Sequence, residues 1–125
     1  MNNFIENQNW RYATKKFDAT KKVSDSDLAI LKEAIRLSTS SYGLQPYKVL
    51  IIENEEIRKQ LQPVSWGQSQ IVDASHLFVF ANYTDIEDTH IDNYVEDIAA
   101  TRGLNVSDLQ GYSDFMKSKI VPLPA

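Results

Sequence analysis

The sequence predicts one mixed domain in which α-helices pack on buried β-strands, and three observations carry that expectation. Val23-Ser24-Asp25-Ser26-Asp27-Leu28 opens a strongly helical segment, and Lys48 to Glu53 and Leu77 to Ala81 are apolar runs of strand length. The 125 residues, 42% hydrophobic and 10% aromatic, suffice for a single core that removes roughly two thirds of the unfolded surface from water. Between the helical segment and the first apolar run lies Ser38-Thr39-Ser40-Ser41-Tyr42-Gly43-Leu44-Gln45-Pro46-Tyr47. Pro46 disfavours helical backbone at Gln45, and Gly43 admits angles closed to other residues, so the helix ends and a strand begins here. Such a corner sets backbone amides and short polar side chains where a flat polar ligand can be held, and an ordinary turn fits the same residues.

From the N-terminus, Asn3 and Glu6 have the spacing of a capping pair, and Phe4, Ile5 and Trp10 mark a short amphipathic helix suited to docking on another surface. Arg11-Tyr12-Ala13-Thr14-Lys15-Lys16-Phe17-Asp18 then interleaves three cations with aromatic and small residues. The planar fork of Arg11 and the point charge of Lys15 can bracket a phosphate or a negatively polarised heterocycle, and a solvated basic loop is the alternative. Ser24 is placed to cap the amide of Asp27, both aspartates suit the positive helix end, and Val23 can staple onto Leu28. Leu28, Leu31, Ile35 and Ser38, widened by Ala34 and Leu37, form the stripe expected to face the core.

Lys48 to Glu53 does not alternate at its centre, as expected of a strand covered on both faces. Asn54 reads as the cap of a short helix carrying Ile57 and Leu61 and stopped by Pro63. Ser65-Trp66-Gly67-Gln68 repeats the capping-box spacing ahead of a second short helix through Ile71 and Val72. Leu77 to Ala81 is the second covered strand. His76 at its start has the chemistry of an acid or base, but no nucleophile motif accompanies it, and a structural hydrogen-bonding histidine fits as well.

Asp85, Glu87, Asp88, His90, Asp92, Glu96 and Asp97 lack both the calcium-loop spacing and the paired-histidine helix pattern. They fall opposite the helical stripe Ile91, Val95, Ile98 and Thr101, with Tyr94 adjacent and Gly103 as the stop, so a solvated acidic face accounts for them. Val106-Ser107-Asp108-Leu109-Gln110 starts a further capped helix carrying Leu109, Tyr112, Phe115 and Met116. Two alternate prolines then forbid its continuation.

Thirteen Lys and Arg against seventeen Asp and Glu give a net charge of -4, which offers no global attraction to nucleic acid or anionic lipid. Zero cysteines exclude disulfides, thiol nucleophiles and thiolate metal sites, so redox chemistry requires a cofactor. No apolar run approaches membrane-spanning length, and the polar start is unlike a secretory signal; a cytoplasmic location is expected. Repeats, low-complexity blocks, P-loops and dinucleotide-binding glycine motifs are all absent from the sequence.

Taken together, Arg11 to Asp18, Ser40-Ser41-Tyr42-Gly43-Leu44-Gln45-Pro46-Tyr47 and Asp73-Ala74-Ser75-His76 resemble the FMN-dependent nitroreductase family in order and spacing. The resemblance runs from the N-terminal helix to about Lys119 and implies an α+β fold, helices packed on a central β-sheet, of which this chain carries about two strands. It implies that residues 1–120 are the N-terminal portion of such a domain and that 121–125 are a divergent, proline-containing tail.

The resemblance further implies hydride transfer from NADH or NADPH through FMN to nitro compounds, quinones or similar small-molecule acceptors in a ping-pong cycle. By resemblance, Arg11, Tyr12, Ala13 and Lys15 form the first flavin-binding loop. Ser40, Ser41, Gly43 and Gln45 form the second, reaching the flavin from the partner subunit of a homodimer. Gly67, Gln68 and Gln70 fall at further polar flavin contacts, and Tyr42 lines the nicotinamide or substrate side. No protein group is expected to act as a catalytic residue, since the cofactor carries the chemistry.

Two departures stand out: Ala13 replaces the serine of many members, and the resemblance stops after Ile120, where the family continues through further helices and strands. A catalytically silent fragment that only dimerises or binds is therefore the alternative expectation.

Overall fold

The computed structural model describes residues 2–121. Six α-helices and two strands follow one another as α1 (Asn2–Trp10), α2 (Asp25–Arg36), β1 (Tyr47–Ile52), α3 (Glu55–Leu61), α4 (Gln70–Asp73), β2 (Leu77–Asn82), α5 (Asp88–Arg102) and α6 (Gln110–Ile120). Short 3₁₀ turns occupy Ser41–Gly43, Pro63–Ser65 and Val106–Leu109. β1 and β2 pair as a two-stranded antiparallel sheet, and the Tyr83 amide donating to the Pro46 carbonyl at 2.9 Å extends the pairing past both strand ends. The proline-bearing tail beyond Val121 lies outside the described residues.

The chain divides into two compact units, Met1–Ala29 with Leu50–Val79 and Ile30–Val49 with Phe80–Ala125, so α2, β1 and β2 contribute to both. In the first unit the Ser24 hydroxyl accepts the Asp27 amide at 3.1 Å and starts α2, and the Asn54 side chain accepts the Ile57 amide at 3.0 Å and starts α3. Both caps satisfy amides that a helix N-terminus leaves unpaired. Arg58 of α3, buried to 2% exposure, donates to the carbonyls of Val72 and Ala74 and so ties α3 to α4. The Val23 amide donates to Ser75 Oγ at 2.9 Å, fixing the entry to α2 against the approach to β2.

In the second unit Ile91, Val95 and Met116 form the core, packed by Leu44, Ile86, Tyr94, Leu109 and Ile120. The buried stripe of α5 is Ile91, Val95 and Ala99, one residue in four, as a helix facing one neighbour requires. Gly103 stops α5 with φ 65°, a left-handed angle that glycine adopts without cost. Asn105 and Asp108 hydrogen-bond at 3.2 Å through the Asn105 amide and lead into α6.

Several expected features take a different form. Asn3 lies inside α1 and does not precede it, because helical backbone already begins one residue earlier. Of the α2 stripe, Leu28 is buried, whereas Leu31 and Leu37 are exposed. β1 alternates between half-buried and exposed positions, with Leu50 at 51% exposure, and Phe80 in β2 is 60% exposed, so neither strand is covered on both faces. Ser65 ends a 3₁₀ turn and opens no helix. Trp66 and Gly67 take φ 57° and 65° immediately after it, and a helix cannot pass through two left-handed residues; α4 begins only after Ser69.

Candidate functional site

The Ser40–Gln45 loop of the second unit holds two of the three non-glycine residues with left-handed φ among the described residues. Tyr42, Gly43 and Gln45 have φ values of 56°, 78° and 43°. Pro46 does keep Gln45 out of the right-handed helix, but into left-handed and not extended backbone. Non-glycine residues hold such angles only where their surroundings over-determine them, and here they do. Ser40 Oγ accepts the Gln45 amide at 2.9 Å, the Ser40 carbonyl accepts the Gly43 amide at 3.0 Å, and the Ser41 carbonyl accepts the Leu44 amide at 3.2 Å. The Gln45 side-chain amide donates to the carbonyls of Arg36 and Ser38 at 3.1 and 3.2 Å, satisfying the frayed end of α2.

The acceptors of Ser40 and the donors of Gln45 thus shape the loop. Beside the loop lies a cavity of about 630 Å³ lined by Gly43, Gln45, Pro46, Asn93, Asp97 and Arg102, among others. A smaller, mostly apolar cavity of about 230 Å³ meets Tyr42, Leu44, Pro46, Ile86, Lys119 and Ile120. The Tyr42 ring leans on Phe115 at 6.2 Å between centroids.

In the first unit, residues 11–18 form an irregular, exposed segment after α1. Arg11, Tyr12, Ala13 and Lys15 all lie on it. Among the described residues Arg11, Lys15 and Lys16 make no ion pair. The segment ends where Asp18 Oδ1 accepts both the amide and the hydroxyl of Thr20, at 3.0 and 2.6 Å. These bonds, foremost the one from the hydroxyl, hold the Asp18 carboxyl below the usual carboxylate range. Gly67 is one of the two left-handed residues before α4, Gln68 follows it, and Gln70 is the first residue of that helix.

His76 is fully engaged. Nδ1 shares a hydrogen bond with Ser75 Oγ at 2.8 Å and Nε2 faces Glu53 Oε1 at 3.0 Å. The acidic stretch around α5 assembles no group of three ligands suited to a metal ion among the described residues. One carboxylate there, Asp92, pairs with Lys117 of α6 and keeps that ammonium's pKa raised. What sequence reasoning missed is the contribution of Tyr94 and Tyr112, whose hydroxyls both reach the strained loop. Their helical spacing marks them only as half-core positions.

Helices, an antiparallel strand pair and a strained polar loop between helix and strand define the N-terminal part of a nitroreductase-like α+β fold. The Nitroreductase family model matches residues 9–118, and the chain belongs to that family. It is 52% identical over 69 residues to a Staphylococcus saprophyticus protein provisionally named an NAD(P)H nitroreductase, covering 54% of this chain and 32% of that one. With a Haemophilus influenzae protein of the same provisional name the identity is 37% over 101 residues, 80% of this chain and 45% of the other. The matched stretches therefore cover less than half the length of these relatives.

Among solved structures, a nitroreductase-like protein from Streptococcus mutans superposes with a TM-score of 0.80 at 15% identity, over 94% of this chain and 57% of that one. A nitroreductase of Exiguobacterium sibiricum, provisionally so named and solved in complex with FMN, gives 0.73 at 22% identity, over 97% and 58%.

Proposed function

We propose that this chain is the flavin-binding N-terminal portion of a cytoplasmic, homodimeric FMN-dependent oxidoreductase that uses NADH or NADPH to reduce nitro compounds, quinones or similar acceptors. The observation that carries the reading is the pair of cations, Arg11 and Lys15, standing without a carboxylate partner among the described residues on an exposed, irregular segment. The family match and the FMN complex of the Exiguobacterium neighbour support it.

The donor set fits the cofactor. A guanidinium and an ammonium four residues apart suit a phosphate, the first by bidentate hydrogen bonding and the second as a point charge. Tyr12 is 71% exposed, and the small Ala13 beside it adds little bulk against a flat ring. The Ser41 hydroxyl and Gln45 Oε1 offer one donor and one acceptor for a ring edge, contributed in this reading by the partner subunit. Gly67, Gln68 and Gln70 supply backbone and amide groups at the turn before α4, and Tyr42 faces the acceptor. Bound FMN supplies hydride acceptance from the nicotinamide and donation to the acceptor in alternating half-reactions. The chain's residues bind, orient and exclude water, and none of them is required to move a proton.

The test is a visible spectrum of the purified chain with FMN, then with NADPH, then with a quinone. The expected result is a flavin spectrum altered by binding, bleached by NADPH and restored by the quinone. Replacing Arg11 and Lys15 together by Gln should weaken FMN binding by at least tenfold, as loss of two charge-assisted contacts implies. FMN that remains free in solution overturns the oxidoreductase reading and leaves a silent binding fragment.

A further inference from the structure

The Ser40–Gln45 loop is strained, and its internal hydrogen bonds account for only part of what holds it. Two side chains reach it from outside, and they come from different helices. Tyr112 of α6 donates from Oη to the Tyr42 carbonyl at 3.2 Å, pinning a peptide whose residue has φ 56°. Tyr94 of α5 places its hydroxyl directly against the position that a Cβ on Gly43 would occupy, with Cζ at 3.2 Å from it. Gly43 thus serves twice: its φ of 78° is one that other residues resist, and its missing side chain makes room for a phenol.

α5 and α6 are themselves locked together by Ile91, Val95 and Met116 and by the Asp92–Lys117 ion pair. Phe115, a turn along α6 from Tyr112, adds a tilted contact to the Tyr42 ring. A loop strained at two residues, Tyr42 and Gln45, and touched by a rigid helix pair through two hydroxyls is a braced loop.

We propose that Tyr94 and Tyr112 are positioning residues that brace the Ser40–Gln45 loop, so that the α5–α6 pair sets the conformation in which the loop meets the flavin; the flavin part rests on the function proposed above. Neither tyrosine touches the cofactor in this scheme. Each acts through the backbone of Tyr42 or Gly43.

The brace is tested without cofactor by amide hydrogen exchange on the full chain. Tyr112→Phe removes one hydroxyl and leaves the ring. It should speed exchange of the Gly43, Leu44 and Gln45 amides by about three- to tenfold, the range expected for loss of one hydrogen bond, with α5 and α6 amides unchanged. The same variant should weaken FMN binding by a similar factor and shift the visible band of the bound flavin while the melting temperature hardly moves. Gly43→Ala should abolish FMN binding, and combining it with Tyr94→Phe should restore part of it, because the phenol oxygen is the nearest obstacle.

Unchanged loop exchange in Tyr112→Phe overturns the proposal. So does a loosened loop that still binds FMN with wild-type affinity. If the wild-type chain binds no FMN at all, the flavin role falls with the proposed function, while accelerated exchange in the variant still establishes the brace.

Discussion

Arg58 shows how a single side chain can carry a local fold. It is 2% exposed on a seven-residue helix, and one of its terminal nitrogens serves the carbonyls of both Val72 and Ala74 at the end of α4. Nε has no partner among the described residues, so the group is held in place by the carbonyls it satisfies. Arg58→Met keeps most of the stem and strands those carbonyls; it should cost about 2–3 kcal/mol of stability, read as a lower urea midpoint at unchanged slope. A variant as stable as the wild type would mean that water replaces the guanidinium. Nothing in the sequence singles Arg58 out. Its neighbour Lys59 carries the same charge and sits at the surface between Glu55 and Glu56, so the charge pattern reads identically for a solvated cation and for a buried one. Arg11 and Lys15 stand out in the sequence as cations ahead of the first acid of their stretch, Asp18, whereas the contacts of Tyr94 and Tyr112 do not, because they are made with a loop some fifty and seventy residues distant.

Helix starts were legible where the chemistry is local. Ser24 and Asn54 cap the helices they precede, since each needs only an amide three residues on. Asn54→Ala should therefore destabilise α3 by about 1 kcal/mol, the usual worth of such a cap, and circular dichroism during urea unfolding would register it; Asn54→Asp should preserve it. Ser65 has the same spacing to Gln68, yet Trp66 at φ 57° turns the chain away before a helix can form. The capping pattern is thus necessary and not sufficient, and a left-handed residue, which the sequence announces only through Gly67, overrides it. Strands were legible as strands and misread in their covering. Val49-Leu50-Ile51-Ile52 and Leu77-Phe78-Val79-Phe80 are apolar throughout, but apolar composition records what a face requires and says nothing of what lies upon it. Leu50 and Phe80 accordingly face outward at 51% and 60% exposure.

For the whole molecule, the distribution of apolar surface decides how the chain behaves at working concentration. Phe4, Ile5 and Trp10 on α1, Leu31 and Leu37 along and after α2, Leu50 and Phe80 on the strands and Val64 and Trp66 in the turn before α4 are all exposed. Covering apolar area gains roughly 25 cal/mol per Å², so exposed apolar side chains in this number favour association; the net charge of -4 is too small to oppose it strongly. The two tryptophans provide the readout. Trp10 and Trp66 are 81% and 91% exposed in the single chain, and they are the only tryptophans in the sequence, so burial of either between copies must shift the emission to shorter wavelength. Sedimentation velocity across a dilution series should show a reversible dimer, and the emission of the intact chain should move to longer wavelength as it dissociates. Trp10→Phe and Trp66→Phe, measured separately, assign the shift to α1 or to the turn before α4. A chain that sediments as a monomer at every concentration, with emission that never moves, would show that these side chains remain in water and would remove the homodimer from the proposed function.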